Sequence, residues 1–138
     1  MNRSWLVLAL ALSTASAAEN AKQAKPEAAS TGLYQVQDGN KVDAKTLMGW
    51  KTWRALACER CHGAEQEGLV GPPLVETLKT LSKEDFHTVM MNGRVEKGMP
   101  PFNGSAMVNE NWEGLYAYLK GRSDGKIAPG RLTAIGQP

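Results

Sequence analysis

The chain reads Cys58-Glu59-Arg60-Cys61-His62 at its centre, and both of its cysteines fall in these five residues. Two thiols three positions apart share one turn, so each can form a thioether to a vinyl group of one porphyrin. The imidazole directly behind the second cysteine then lies under the iron as its proximal ligand. The stretch reads as covalent attachment of one haem c through Cys58 and Cys61, with His62 on the metal. No internal repeat is present, so a single haem is expected.

Other uses of the pair compete with this one. In an oxidising compartment two cysteines ordinarily form a disulfide. A redox-active C-x-x-C of the thioredoxin kind sits near a βαβ pattern, and this chain has no strand-rich half to supply one. A structural zinc needs four protein ligands. Cys58, Cys61, His62 and His87 are all the cysteines and histidines there are. Haem attachment uses both the spacing and the order of the motif.

The N-terminus bears on the compartment. Met1-Asn2-Arg3 is a short positive start, Trp5 to Leu12 is an apolar run of eight residues, and Ala15-Ser16-Ala17 fits a cleavage site. This is the pattern of a secretory signal, here residues 1–18, and it predicts a periplasmic protein. As a membrane anchor the run is far short of the ~20 residues that span a bilayer. No other stretch is apolar enough, so the mature protein is expected to be soluble. Lys and Arg number 16 against 14 Asp and Glu. Loss of Arg3 with the signal leaves the remainder near neutral. No basic run or basic–aromatic alternation is present, which argues against nucleic acid.

About 120 mature residues suit one domain. Residues 19–42 are expected as a flexible leader, polar at first, with 33–42 short and ambiguous, possible as extended chain. Asp43 is a good N-cap for a helix running to about Ala57. Leu47, Trp50, Trp53 and Ala57 recur at helical spacing on it. A loop punctuated by Gly68, Gly71, Pro72 and Pro73 follows the motif. Leu74, Leu78 and Leu81 suggest a short helix. Ser82 to Asp85 resembles a capping box for the next, with Gly93 as its stop. Asn109 or Asn111 is expected to cap a last helix carrying Trp112, Leu115, Tyr116 and Leu119, ended by Gly121. Residues 122–138 read as a tail. The expected fold class is all-α, with short helices wrapped around the cofactor.

The sixth iron ligand decides the function class. Met90 reads as core, Met91 as its neighbour, and Met107 as part of an unsupported polar loop. Met99 precedes Pro100 and Pro101, which fix the backbone, and Phe102, which can pack on the ring. A thioether in so restricted a loop suits an axial ligand, so Met99 is the expected partner of His62. His87 is the rival, and on its helix it faces outward. For the proximal side, the Nδ1 proton of His62 needs an acceptor. The Pro72 carbonyl is favoured over that of Pro73. With His62 and Met99 bound, the iron is closed and one-electron exchange remains.

These features resemble the class I c-type cytochromes over residues 43–121, on Cys58, Cys61, His62 and Met99. The resemblance implies a first helix crossing the last, with Gly49 or Trp50 meeting the Leu115–Tyr116–Leu119 face. One departure is that Gly49 lies nine residues before Cys58, one more than the family spacing. The chain also resembles small periplasmic cytochromes that take electrons from PQQ-dependent alcohol or methanol dehydrogenases. The residues concerned are Gly49, Trp53, the haem motif to Gly63, the Met99 loop, the ending Tyr116 to Gly125, and Gly130-Arg131. This implies a monomeric carrier and no enzyme. Its donor would be a quinoprotein dehydrogenase and its acceptor a terminal oxidase or another cytochrome. Lys51, Lys79, Lys83 and Lys97 are candidates for steering it. The alternatives are an open-site haem enzyme or gas sensor, and a subunit of a larger oxidoreductase.

Overall fold

The computed structural model describes residues 29–30 and 32–137. The signal segment 1–18 lies outside the described residues. Helix α1 spans Ala44–Ala55. Asp43 caps it with Oδ1 accepting from the Thr46 amide at 3.0 Å and Oδ2 from the Thr46 hydroxyl at 2.7 Å. The same carboxylate accepts the Gln35 amide at 2.7 Å. Burial pushes this carboxyl up, but these donors together outweigh it and hold it below its ordinary value.

Next come the single turn α2 (Glu59–His62) and the short α3 (Leu74–Thr77). Helix α4 (Lys83–Asn92) starts where the capping box predicts, with the Ser82 hydroxyl accepting the Asp85 amide, and stops at Gly93. Helix α5 spans Ala106–Ser123. It begins earlier than expected because Ser105, and neither asparagine, is the cap. Its first turn buries only Val108, so no apolar period announces it. Met107 therefore sits on a helix rather than in a loop. Gly121 does not end the helix. It lies inside α5, where a Cβ would strike Ile127, and the left-handed residue is Gly125 at φ 68°.

The buried face of α1 also differs from the expected one. Thr46, Gly49, Thr52 and Trp53 are buried, while Leu47 and Trp50 are half-buried at the core's edge. Small residues face α5 because the two helices meet backbone to backbone. A Cβ on Gly49 would run into the Gly114 carbonyl, and one on Gly114 into the Lys45 carbonyl. The crossing thus uses Gly49, as the family resemblance implies, with Gly114 as an unforeseen partner. After the crossing the helix ends in a tight reversal. Ala57 adopts φ 51°, and the Cys58 amide donates back five residues to the Trp53 carbonyl at 3.3 Å.

The helices carry a small sheet that the all-α expectation lacks. Strands β1 (Ala29–Ser30), β2 (Gln35–Gln37), β3 (Lys41–Val42) and β4 (Thr133–Ala134) lie in that order. Asp38 and Gly39 both have positive φ in the β2–β3 turn, the pairing a tight hairpin favours. Strand β3 then pairs in parallel with β4, Lys41 opposite Thr133 and Val42 opposite Ala134. Tyr34, Val36 and Val42 are buried with Ile127 and Leu132. The packed unit therefore extends beyond the expected boundaries at 43 and 121. Parts of the supposed leader and tail complete its core, because each end covers apolar surface on the other.

Two expectations follow. Gly49→Ala should lower the unfolding free energy of the holoprotein by about 1–3 kcal/mol through overpacking. Met48→Ala, on the exposed face of α1, should stay within about 0.5 kcal/mol; guanidinium titration compares them. Asp43→Ala should cost about 1 kcal/mol at neutral pH. Because the native carboxyl titrates lower than the unfolded one, that contribution is present above the unfolded value. It is lost as pH falls through the native one, so the gap to the parent protein should close below about pH 4.

Candidate haem site

The left-handed Ala57 turns the chain out of α1 and sets Cys58 as the residue before α2. Cys58 is half-buried and Cys61 exposed, both as free thiols. Burial, reinforced by the Glu59 charge, pushes the Cys58 thiol up to about 12. Among the described residues no group of three or more His, Cys, Asp or Glu could hold a metal ion. The zinc reading of the motif loses ground here.

His62 ends the same turn. Its Nδ1 lies 3.0 Å from the Pro72 carbonyl. A carbonyl can only accept, so Nδ1 carries the proton and Nε2 keeps its lone pair for a metal. The loop returns tightly to the ring. The Gly71 amide donates to the Cys61 carbonyl at 2.8 Å, and the Gly68 amide to the His62 carbonyl at 2.7 Å. A Cβ at Gly71 would lie 2.9 Å from Cε1 and Nδ1 of the imidazole. Only glycine lets the backbone pass there. Trp53 lies near the ring, with centroids 6.4 Å apart.

Met99 is positioned from α4. Its amide donates to the Arg94 carbonyl at 3.1 Å, and its carbonyl accepts the Arg94 amide at 2.8 Å. A 3-10 turn over Val95–Lys97 and a left-handed Gly98 close this small hairpin. The rigidity expected of Pro100 and Pro101 thus has a second source upstream. Gly93 is more than a helix stop. A Cβ there would sit 2.5 Å from the Pro101 nitrogen and 2.7 Å from the Met99 carbonyl oxygen. The Phe102 amide donates to the Met90 carbonyl at 2.9 Å.

The other candidates are placed differently. Met90 is buried core, and Met91 is half-buried against it. Met107 is 40% exposed on α5. His87 packs on Trp112, with ring centroids 4.3 Å apart. Leu74, Leu81, Met91, Met99 and Phe102 form a partly uncovered apolar border to the core. Such a border, two free thiols on one turn and an imidazole with a free Nε2 suit a covalently held porphyrin. A separate cleft of about 390 Å³ lies among Trp50, Trp53, Arg54, Tyr118 and Arg131. None of Cys58, Cys61, His62 or Met99 lines it.

Residues 44–119 match a family model described as cytochrome c oxidase, cbb3-type, subunit III. Cytochrome c-555 of Methylococcus capsulatus (strain Bath) is 45% identical over 92 residues, which cover 66% of this chain and 73% of that protein. The chain belongs to the class I c-type cytochromes. Cytochrome c-551 of Bacillus subtilis is 30% identical over 107 residues, covering 76% of this cytochrome and 88% of the relative. The crystal structure of the c-type cytochrome XoxG from Methylobacterium extorquens AM1 superposes with a TM-score of 0.66. It has 28% identity and covers 83% of this chain and 80% of that one.

This cytochrome therefore carries covalently bound haem c at its C-x-x-C-H sequence and is a monohaem electron carrier rather than an enzyme. Among the described residues no helix is long and apolar enough to cross a membrane. Sequence reasoning missed two groups at the site. One is the Arg94–Met99 hairpin, for which Gly93 and Gly98 were the available signal. The other is Gln66, buried at 1% exposure in the loop after the motif, which no pattern announces.

Gly93→Ala should push the Met99 loop off α4 and strain a φ of 69°. If Met99 is on the iron, the oxidised variant should lose most of the weak red sulfur-to-iron band while keeping its haem.

Proposed function

We propose that this cytochrome is a periplasmic carrier with His62 and Met99 as axial ligands and thioethers at Cys58 and Cys61. The observation that carries the reading is the paired restraint of the two ligands. The Pro72 carbonyl fixes the tautomer of His62, and both backbone polar groups of Met99 are tied to Arg94. A sulfur held by its own backbone can stay on iron through both oxidation states. The haem supplies one-electron exchange. The chain's residues hold both axial positions, exclude other ligands and set the potential. Soft thioether ligation favours the ferrous form, so the potential should be relatively high.

The donor we propose is a quinoprotein, PQQ-dependent alcohol or methanol dehydrogenase, and the acceptor a terminal oxidase or another cytochrome. Support for the donor comes from the ending Tyr116 to Gly125 and from Gly130-Arg131. These residues resemble the cytochromes that serve such enzymes. Electron-transfer contacts of this kind are small and transient. Of the four candidate lysines, Lys79 is paired with Glu76 and Lys83 with Glu113, each at 2.6 Å. Lys51 and Lys97 have no ion pair among the described residues and are the better steering charges.

Met99→Ala should abolish the red sulfur-to-iron band of the oxidised protein and lower its potential. A variant that keeps the band removes Met99 from the iron. Purified quinoprotein dehydrogenase should reduce the wild type rapidly at low ionic strength. Failure to do so would remove the proposed donor and leave the ligand assignment standing.

A further inference from the structure

The end of α5 holds both limbs of the loop that carries Pro72. On the leading limb, Arg122 Nε donates to Gln66 Oε1 at 2.7 Å, and its Nη2 donates to the Glu65 carbonyl at 3.1 Å. Its Nη1 reaches into the C-terminal segment, donating to the Ile127 carbonyl at 2.7 Å. On the trailing limb, the Ser123 hydroxyl donates to the Val75 carbonyl at 2.7 Å. The limbs are also joined to each other, since the Val75 amide donates to the Gln66 carbonyl at 3.3 Å. The Gln66 amide group donates in turn to the Tyr118 hydroxyl at 3.2 Å.

Such a network is costly to leave half-made. Gln66 is a buried amide at a backbone φ of 63°. An unpaired polar group there would be strongly disfavoured. The planar fork of Arg122 meets acceptors from two segments from three separate nitrogens, a geometry that the single nitrogen of a lysine does not reproduce. Nothing in electron exchange itself requires a guanidinium at this place. Its acceptors lie in the Gly63–Val75 stretch and at Ile127, and within that stretch Pro72 accepts from His62.

We propose that Arg122, with Gln66 and Ser123, is a positioning device for the proximal ligand. It keeps the Pro72 carbonyl on His62 Nδ1 and so sets the reduction potential of the iron. A strong Nδ1–H···O=C bond makes the imidazole a more basic ligand and favours the ferric state. Loosening the clamp weakens that bond and shifts the equilibrium toward ferrous iron. The proposal rests on the reading of His62 as axial ligand.

The test compares Arg122→Ala, Arg122→Lys and Leu132→Ala in the haem-loaded protein. Leu132 is buried in the C-terminal segment and makes none of these hydrogen bonds, so it controls for general loosening. Both Arg122 variants should raise the midpoint potential. The expected shift is about threefold or more in the reduction equilibrium, on the order of 30 mV, since tenfold is about 59 mV for one electron. They should also speed amide hydrogen exchange in residues 63–75. Leu132→Ala should lose stability with little change in potential. An unmoved potential in folded Arg122→Lys overturns the proposal. So does an equal shift in Leu132→Ala, or failure of both Arg122 variants to retain haem, which would mark a folding role. The spectra separate this from the ligand reading. A high-spin parent protein would remove Met99 from the sixth position, whereas low-spin variants with an unchanged potential would remove only the clamp.

Discussion

Backbone touches backbone where α1 crosses α5, and the haem motif takes its place from that contact. Gly49 and Gly114 leave no room for a methyl group. The close approach brings Trp53 onto Tyr118, with centroids 6.3 Å apart, and Trp53 in turn near the His62 ring. From the crossing onward the chain has little freedom. The left-handed Ala57 turns the chain out of α1, and the next turn delivers two thiols and an imidazole. A looser crossing would move the proximal side as a body, because Tyr118, Gln66 and Arg122 are linked by hydrogen bonds.

In the proposed ligation, the loops of His62 and Met99 are built on one logic. Each offers a single free ligand atom from a backbone that is otherwise tied down. His62 is fixed by a carbonyl acceptor and by a glycine that passes its ring. Met99 is fixed by a two-bond hairpin and by a glycine that lets its loop close on α4. Ordered loops around a cofactor keep the ligands in place through a change of iron charge. This suits a carrier that must exchange electrons with little rearrangement.

Much of this was legible because the signals were local. The C-x-x-C-H spacing, the Asp43 and Ser82 caps, the stop at Gly93 and the prolines after Met99 each lie within a few residues of what they specify. The Pro72 carbonyl could be named because proline offers an acceptor without a donor. What escaped was non-local or unpatterned. Ile127 and Leu132 are isolated apolar residues in a Gly- and Pro-containing stretch, and only the fold shows them buried against the N-terminal strands. The parallel pairing of Lys41–Val42 with Thr133–Ala134 joins the two ends of the domain, and four residues of strand carry no period. The start of α5 was hidden by a polar first turn. On the first helix, Gly49 and Trp53 take the buried places their spacing implies, whereas Thr46 and Thr52 are buried ahead of the larger Leu47 and Trp50 without any apolar period to mark them.

The central claim is that protein groups close the iron on both sides, leaving electron exchange as its only chemistry. Carbon monoxide added to the reduced protein at neutral pH tests this most directly, because it binds ferrous haem wherever a sixth position is open or easily vacated. The account predicts no rapid change in the visible spectrum on mixing. Fast, stoichiometric formation of the carbonyl adduct would contradict it and make the protein an open-site haem protein.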